Sequence, residues 1–514
     1  MQDTLAIGTT GFTKIHPIER LAEICEQLRN EGKTIAHCHG AFDLLHPGHV
    51  RHLQAAKEMA DVLVVTLTED RFIRKGPGRP VFNERLRAET LAALSAVDYV
   101  ATSPWPTAVE TIEKLKPHLY VKGQEYRNLN SDVTGAIVEE RRVVERCGGR
   151  LTFTDEIQFS STRLLNEFFT VFTEEQREYL RDIKGKFTAD DVLTQLDALK
   201  TTDVLVVGEA IIDEYHYCMP DAMSNKTPTL SARFESEEVF AGGAVAVGNH
   251  LAQLCGDTCV LAGAGAADAD DVVTRYLRDG IRSCVVARPD APTVRKRRFV
   301  HRILNQKLFE ITFLNDRPIP PETEQALLSA IDEHAPRADA VIVVDFGHGF
   351  FTNAVVERLR RRSKFLAVNA QINSSNRGFN SIRKYAGADY ISVDEYEIRL
   401  PFGERYGPLN DLVCRLRDET GCSKINVTLG DRGTLYFDGS SFHRAPVLTS
   451  RVVDTIGAGD ALLAITALLV HSNAPPEMVP FVGNCMGGLM TQIVGHRTPV
   501  NAVDLYRFIT TLLK

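Results

Sequence analysis

The chain lacks the features that would place it in a membrane or an oxidising compartment. No run of about 18 apolar residues suggests a bilayer-spanning helix, and no signal-peptide pattern opens the chain. Its ten cysteines include no CxxC pair, so we expect reduced residues that lie in a core. The net charge of −8 gives no support for binding to nucleic acid or to an anionic membrane surface. We therefore expect a soluble, cytoplasmic protein.

The chain also lacks an internal repeat and a P-loop lysine motif. At 514 residues it is longer than one hydrophobic core usually supports, since single cores stop growing near ~250–300 residues. Hydrophobic content of 44% and charged content of 25% are ordinary for a globular protein. More than one domain is therefore expected.

The first candidate site is the stretch His39–His49. It follows a short apolar strand pattern at 34–38 and precedes a helical pattern at 50–59, where apolar residues recur every three residues. Pro47 suits the first turn of that helix, where a missing N–H is harmless. The pattern predicts a strand, a turn and the N-terminus of a helix.

Two histidines occupy this turn with a glycine between them. His46 and His49 are three residues apart on one helical face, at an end whose free N–H groups attract anions. Gly48 has no side chain to block a phosphate, so the group suits nucleotidyl transfer at an α-phosphate. Zinc is the competing use of paired histidines, but Cys38 would lie on the strand.

The same part of the chain alternates strand and helix patterns, which predicts a doubly wound parallel sheet. The strand pattern at 119–123 places Lys122 at its carboxyl end, where open α/β sheets bind ligands. The loop 75–80 carries two cations and suits closure over phosphates. Hydroxyl side chains at 160–162 would begin a helix and form a second phosphate site.

With these motifs in place, residues 12–165 resemble the cytidylyltransferase-like nucleotidyltransferases, particularly the sugar-phosphate branch with heptose-1-phosphate adenylyltransferases. The resemblance implies that His46 and His49 are catalytic and that Asp43 binds the acceptor. The nucleotide-binding residues that it implies are Gly40, Phe42, Gly48, Lys122, Ser161 and Thr162. One departure lies beside the acceptor pocket, because this chain has His39-Gly40-Ala41 where the family usually has Asn-Gly-Cys.

Residues 166–200 carry two helical patterns with cap-like starts at Thr173 and Thr188. We expect a helical linker here that packs against one or both domains. The expected organisation is therefore a domain at 1–165, a linker at 166–200 and a second domain at 201–514.

The chemistry of the second domain concentrates in the heptad Asp454–Asp460, which precedes an apolar helix pattern. The small residues at 457–459 would leave backbone N–H groups pointing at one spot, a nest for an anion. Asp460, directly after the nest, can accept a hydroxyl proton during phosphoryl transfer. A helix capped by aspartate is the simpler interpretation of such a short motif. A glycine-rich stretch at 263–268 lacks the third glycine of a dinucleotide fingerprint and favours an ordinary βα turn.

Residues 202–514 resemble the ribokinase-like carbohydrate kinases, with the motifs in the same order over the whole span. The resemblance implies that Asp460 is the base. It implies an anion hole at Gly457, Ala458 and Gly459, nucleotide contacts at Thr428, Gly430 and Asn484, sugar contacts at Asp213, Gly242, Gly243, Lys296 and Arg298, and Mg²⁺ near Glu397. Three positions depart from the family pattern, namely Ala246, Asn369 and Asp394.

The two resemblances together predict an α/β protein with a Rossmann-like nucleotidyltransferase domain and a ribokinase-like domain. The implied function is phosphorylation of a sugar or sugar phosphate by ATP with Mg²⁺, then nucleotidyl transfer to a sugar 1-phosphate. The order of domains would be the reverse of that in the bifunctional heptose enzymes. CTP stays open for the first domain, and a homodimer is favoured. The alternative is a cytidylyltransferase for a polyol or other phosphate, with a second domain that senses sugar without catalysis.

Overall fold

A computed structural model describes residues 13–73, 79–124, 136–154, 172–223, 230–449 and 451–514. The chain divides into two compact units: Met1–Val171 with Tyr506–Leu512 and Lys514, and Phe172–Leu505 with Leu513. Both units combine parallel strands with helices, so the predicted α/β class is confirmed. None of the helices in these ranges is long and apolar enough to cross a bilayer.

The first unit contains a five-stranded parallel sheet in the order β3-β2-β1-β4-β5. Its strands are β1 Ile35–Gly40, β2 Val62–Thr68, β3 Tyr99–Ser103, β4 Leu119–Gly123 and β5 Arg150–Thr154. Its helices are α1 Ile18–Asn30, α2 Pro47–Glu58, α3 Glu84–Ala92, α4 Val109–Leu115 and α5 Ala136–Arg146. The apolar run of β2 is buried on both faces, as expected for a parallel sheet covered by helices.

A buried arginine on α3 fixes the loops at the carboxyl end of this sheet. The guanidinium of Arg87 donates to three carbonyl oxygens: that of Ala41 after β1, that of Thr68 at the end of β2 and that of Phe82 before α3. It also pairs with Asp70 at 2.6 Å, although its own side chain is not exposed at all. Each bond satisfies a donor that burial would otherwise leave costly. Arg87 therefore fixes the geometry of the loops around the first site.

The second unit is organised around one strand that passes through two sheets. β6, Val204–Met223, pairs with β8 and β12 in its first half and with β7 and β10 in its second half. The main sheet runs β9-β8-β6-β12-β13-β14-β15-β16-β17, and the smaller sheet runs β7-β6-β10-β11.

The remaining elements of the second unit follow in chain order. The strands are β7 Leu230–Gly243, β8 Thr258–Gly265, β9 Arg282–Arg288, β10 Val294–His301, β11 Lys307–Phe313, β12 Ala340–Asp345, β13 Leu366–Ala370, β14 Tyr390–Asp394, β15 Ile425–Thr428, β16 Thr434–Phe437 and β17 Phe442–Ala445. The helices are α6 Glu174–Lys186, α7 Ala189–Ala198, α8 Ala244–Leu251, α9 Ala269–Tyr276, α10 Pro321–His334, α11 Asn353–Arg362, α12 Glu395–Phe402, α13 Leu409–Thr420, α14 Ala458–His471 and α15 Met478–Met490, and the last helix of the chain is α16 Ala502–Leu513.

The two helices expected in the linker are present and begin at the expected caps. Thr173 and Thr188 each form a capping box at the start of α6 and α7. Gln176 donates to the carbonyl oxygen of Val447, and Gln195 donates to Ser472 Oγ. Both helices therefore pack against the second unit.

We predict that Arg87→Met destabilises the first unit by about 2–4 kcal/mol, because it leaves three carbonyl oxygens and Asp70 without the donor that a buried guanidinium provides. Trp105 is the only tryptophan of the chain and packs in the first unit, so urea unfolding followed by its fluorescence measures that unit. Arg85→Met is the matched control, since Arg85 is 80% exposed and pairs only with Glu89. Equal midpoints for the two variants would contradict the role of Arg87.

Candidate active sites

The first site lies where β1 and β4 end side by side. These two strands are neighbours in the sheet, and the strand order reverses direction between them. Such a switch point leaves a crevice outside the carboxyl ends of the strands, where α/β sheets bind nucleotides. His39 and Gly40 end β1, and Lys122 and Gly123 end β4. The structure thus brings the predicted motif and the predicted lysine to one edge.

The two histidines of the motif stack at the start of α2. His46 is the N-cap, and its ring accepts a hydrogen bond from His49 N at 3.4 Å. The two rings are 3.9 Å apart between centroids, and the Phe42 ring meets His49 edge-on at 5.5 Å. Phe42 adopts a left-handed backbone with φ 46°, a strained conformation that turns the chain at this point. Burial lowers the pKa of His46, which favours its neutral form.

Only some of the residues predicted to bind phosphate in the first unit lie among the described residues. Lys122 Nζ lies 2.9 Å from Glu140 Oε2 and 5.0 Å from the ring centroid of Tyr120. This ion pair holds the ammonium group at the end of β4. Ser161, Thr162 and the loop residues 74–78 lie outside the described residues.

Two residues predicted to lie near the acceptor, a carboxylate and a histidine, are each fixed by their neighbours. Asp43 Oδ1 accepts hydrogen bonds from the backbone N–H groups of Val81 and Phe82, at 2.6 and 3.4 Å. His39 bonds through both ring nitrogens, to Thr66 Oγ1 at 2.8 Å and to Thr68 Oγ1 at 3.2 Å. The ring of His39 is therefore held in one orientation at the end of β1.

The second site forms around a histidine that the sequence did not single out. His496 Nε2 lies 3.9 Å from Asp213 Oδ2 on β6 and 3.8 Å from Asp460 Oδ2 in the first turn of α14. Its side chain is 6% exposed. Asp213 and Asp460, predicted as sugar contact and base, therefore meet across one imidazole.

Cations from β10 surround these two carboxylates. Arg298 pairs with Asp213 and also with Glu310, and Lys296 lies opposite Asp213 in the strand register. Burial alone would raise the pKa of Asp213, but the charges of Arg298, His496 and Lys296 hold it below its usual value. Burial raises the pKa of Asp460, with His496 and Lys296 opposing and Asp213 adding to the shift.

The glycines predicted at this site leave space for close approach. A Cβ at Gly242 would lie 2.8 Å from Asp213 Oδ2, and one at Gly457 would lie 2.6 Å from His496 Cε1. Gly457 also has a left-handed backbone with φ 84° as the N-cap of α14. The helix begins at Ala458, so residues 457–459 lie at its N-terminus. Ala458 N donates to the carbonyl oxygen of Thr455 at 3.4 Å, and the anion nest stays a prediction.

Asp454 anchors the loop that leads into this helix. Its Oδ2 accepts from Tyr215 Oη at 2.8 Å and from Gly495 N at 3.0 Å, and its Oδ1 pairs with Lys307 Nζ at 2.5 Å. Tyr215 and Lys307 belong to the smaller sheet, so Asp454 connects that sheet to the start of α14. Lys307 and these hydrogen bonds outweigh burial and hold the pKa of Asp454 below its usual value.

The residues predicted to contact nucleotide and metal lie at the ends of β14 and β15. Thr428 ends β15 opposite Asp394, and Gly430 follows with φ 62°. Asp394 caps α12 in a reciprocal capping box with Glu397. Burial and the charges of Asp394 and Asp460 raise the pKa of Glu397 to about 8.

Asn484, also predicted to contact nucleotide, bonds to the backbone at the end of β17. Its amide Nδ2 donates to the carbonyl oxygens of Ala445 and Pro446, each at 2.9 Å. In this structure the amide group therefore holds the chain after β17, and its role in nucleotide binding stays a prediction.

A second acid, Glu209, lies deep beside the site on β6. It is 2% exposed, and His348 Nδ1 lies 3.8 Å from its Oε1. Burial and the charge of Asp345 raise the pKa of Glu209 to about 8, although Arg288 opposes the shift. Burial and the nearby charges of Lys296 and Arg288 lower the pKa of His348 to about 3. At neutral pH the pair is therefore favoured in its uncharged form.

Sequence reasoning missed His496, Glu209 and Arg87. His496 follows a glycine with no flanking motif, and its partners are Asp213 and Asp460, far away in the chain. Cys255 follows α8 and Cys259 lies in β8, and both are buried, as expected for cysteines that lie in a core. The stretch 263–268 does form the expected βα turn.

These features define an α/β protein with two separate sites for phosphate chemistry. Residues 201–502 match the model of the pfkB family of carbohydrate kinases, and residues 37–167 match the cytidylyltransferase-like model. The chain belongs to the pfkB family of carbohydrate kinases.

Curated relatives match the cytidylyltransferase-like part of the chain. The chain is 41% identical over 152 residues to the bifunctional protein HldE of Syntrophotalea carbinolica, which covers 29% of this chain and 30% of the relative. It is 44% identical over 148 residues to HldE of Helicobacter pylori, covering 28% and 31%. The chain thus matches about a third of the length of these relatives.

A solved structure shows the fold of the other part. Phosphofructokinase-2 from Escherichia coli, in complex with potassium, superposes with a TM-score of 0.51 at 13% identity, over 61% of this chain and 100% of that chain. This similarity establishes the ribokinase-like fold that the sequence predicts.

We predict that Glu209→Gln removes a pH dependence of stability. In the folded chain the pKa of Glu209 is about 8, so the acid stays protonated up to about that pH. In the unfolded chain its pKa is near 4.5. The free energy of unfolding therefore falls as the pH rises between these two values. The variant should equal wild type at low pH and exceed it increasingly towards pH 8, in scanning calorimetry. Glu175→Gln, at an exposed position, is the control. A difference between Glu209→Gln and wild type that does not change with pH would contradict the buried acid.

Proposed function

We propose that the second unit transfers the γ-phosphoryl group of ATP to a hydroxyl of a sugar or sugar phosphate. The observation that carries this proposal is the meeting of Asp213 and Asp460 at His496, beside the helix N-terminus at 457–459. The N-terminus provides N–H groups for the transferred phosphoryl group, and Asp460 lies in the first turn beyond it. This arrangement supplies positioning, charge neutralisation and one base.

The chemistry follows from the two carboxylates. The acceptor oxygen attacks the γ-phosphorus, its proton passes to Asp460, and ADP leaves. Because cations hold Asp213 in its charged form, it can bind sugar hydroxyls without competing for that proton. His496 lies between the two acids and positions both.

Magnesium is the cation expected with ATP. No group of three or more ligating side chains in the described ranges could hold a metal ion by itself. Mg²⁺ keeps waters and substrate phosphates as ligands and needs only one or two carboxylates, a role that Asp394 and Glu397 fit. Both carboxylate oxygens of Glu397 accept backbone N–H groups, from Ile372 and Asp394, which fix the side chain in place. The ion, when bound, neutralises charge on the phosphates.

We propose that the first unit joins a nucleoside monophosphate to a sugar 1-phosphate and releases pyrophosphate. The stacked imidazoles of His46 and His49 at the N-terminus of α2 support this reaction, because they can donate hydrogen bonds to an α-phosphate. The similarity to the HldE proteins supports a sugar phosphate as acceptor. His39 is the position proposed to select that acceptor, and both ATP and CTP stay open as donors.

The whole chain is then proposed to be a bifunctional enzyme of sugar activation. Its proposed domains are 1–165, 166–200 and 201–514, an order that we expect to be the reverse of that in the bifunctional heptose enzymes. If the kinase acts on a heptose 7-phosphate, a separate phosphatase must act before nucleotidyl transfer. A cytoplasmic homodimer is the proposed state.

We predict that Asp460→Asn lowers kcat for phosphoryl transfer by about 10²–10⁴, since the acceptor loses its base. ATP turnover is measured with a panel of sugars and sugar phosphates, and products are identified by mass spectrometry. Asp411→Asn, at an exposed position of α13, should keep wild-type activity. If the wild-type chain does not turn over ATP with any of these compounds, the kinase assignment is wrong. That result would favour the alternative, a cytidylyltransferase whose second domain senses sugar without catalysis.

We predict that His46→Ala abolishes pyrophosphate release from nucleoside triphosphate and sugar 1-phosphate but leaves phosphorylation by the second unit unchanged. His46→Asn separates catalysis from capping, because asparagine can still accept the N–H bond at the start of α2. Both variants should be inactive, while His16→Ala should stay active. Full activity of His46→Asn would limit His46 to a capping role, and loss of both reactions would argue against independent sites.

A further inference from the structure

A polar cleft of about 540 Å³ opens between the loops that follow β12 and β13. Its walls include Asp316, Asp345, Arg377, Phe379 and Lys384. The volume suits a small ligand, since such pockets usually measure ~300–1,000 Å³. β12 is the neighbour of β6, which carries Asp213, so the cleft lies at the same carboxyl edge as the proposed kinase site.

The loop that forms one wall of this cleft is held by asparagine side chains. Asn376 Nδ2 donates to the carbonyl oxygens of Phe346 and Gln371, at 3.0 and 2.8 Å. Asn380 Nδ2 donates to the carbonyl oxygens of Asp345 and Gln371, at 3.0 and 3.1 Å. These bonds connect the loop after β13 to the loop after β12. The wall is therefore formed before any ligand binds, which reduces the cost of binding.

This fixed loop presents a cation and an aromatic ring at the rim. Arg377 has a left-handed backbone with φ 48°, a conformation that persists in a non-glycine residue only where its surroundings enforce it. The Phe379 side chain is 95% exposed, although large aromatic side chains usually gain from burial. Strain and exposure at the same rim point to a bound partner.

Some of the charged side chains that line the cleft are paired with each other, and others are not. Asp345 on the floor is already neutralised, because Lys384 Nζ lies 2.6 Å from its Oδ2 and Tyr385 donates to the same oxygen at 2.7 Å. In the part of the chain that the structure describes, no carboxylate pairs with the guanidinium of Arg377, and no cation pairs with Asp316. One cation and one anion at the rim therefore remain to bind a ligand.

We propose that this cleft binds the phosphorylated end of a sugar phosphate, the acceptor of the second unit. Arg377 binds the phosphate, which its planar fork matches with two parallel hydrogen bonds. Phe379 packs against the apolar face of the sugar, and Asp316 accepts a hydrogen bond from a hydroxyl group. The inference rests on the proposed kinase function and specifies its substrate class. A nucleotide offers a ring and phosphates too, but its proposed site lies at β14 and β15, and Asp316 favours a ligand rich in hydroxyl groups.

The test measures binding without turnover. Calorimetric titrations use the full chain carrying Asp460→Asn with fructose 6-phosphate, mannose 6-phosphate and sedoheptulose 7-phosphate, each beside its free sugar, and with ADP. We expect at least one sugar phosphate to bind, and Arg377→Gln to weaken it about tenfold or more while leaving the free sugar unaffected. Phe379→Ala should weaken the sugar phosphate and its free sugar alike.

Matched controls are available on another exposed loop of the same unit. Arg405 lies over the ring of Tyr406 at 5.2 Å, and Tyr406 is 83% exposed. Arg405→Gln and Tyr406→Ala should leave binding unchanged. The proposal is overturned if no sugar phosphate binds, if the cleft variants bind as tightly as the parent chain, if the controls weaken binding equally, or if Arg377→Gln weakens ADP instead.

The two proposals fail in different ways. If binding of a sugar phosphate depends on Arg377 but the wild-type chain never phosphorylates it, the kinase function fails and the cleft assignment stands. Suppose instead that the wild-type chain phosphorylates a sugar phosphate whose affinity is unchanged by Arg377→Gln and Phe379→Ala. The cleft assignment then fails and the kinase function stands.

Discussion

The second unit depends on holding two carboxylates close together in a partly dry site. Asp213 and Asp460 would repel each other if His496 and the cations of β10 did not lie around them. The pKa values of the two acids shift in opposite directions: neighbouring cations lower the pKa of Asp213, whereas burial raises the pKa of Asp460. Two acids with separated pKa values can divide binding from proton transfer, which is the division that phosphoryl transfer needs.

This constraint explains why one strand passes through both sheets of the second unit. β6 carries Asp213 beyond the edge of the main sheet, and β10 pairs with it there and brings Lys296 and Arg298 to the same face. Asp454 then connects the smaller sheet to the start of α14 through Tyr215 and Lys307, so the proposed anion-binding loop and the proposed sugar-binding strand keep one geometry. The buried bonds of Asp454 are thus a condition for the placement of the base.

The proposed phosphate site of the first unit has different electrostatics. The rings of His46 and His49 are stacked, burial favours the neutral form of His46, and Lys122 is paired with Glu140. The N-terminus of α2 adds N–H groups that favour an anion at the proposed site. Arg87 does not belong to the proposed anion site, but it fixes the chain after β1, at the end of β2 and before α3 through three carbonyl oxygens. A change at Arg87 is therefore expected to act through the positions of these loops.

The sequence alone determined the features that depend on residues close together in the chain. Pro47 and His46 mark the start of α2, the threonines at 173 and 188 mark two capping boxes, and the glycine at 457 marks the start of α14, because caps and tight turns are satisfied within a few residues. Apolar runs likewise fixed the α/β class. Only the tertiary structure decided that His496 joins Asp213 to Asp460 and that Arg377 and Phe379 border a cleft. Such contacts depend on the order of strands in the sheet, and no local pattern encodes which distant residues that order brings together.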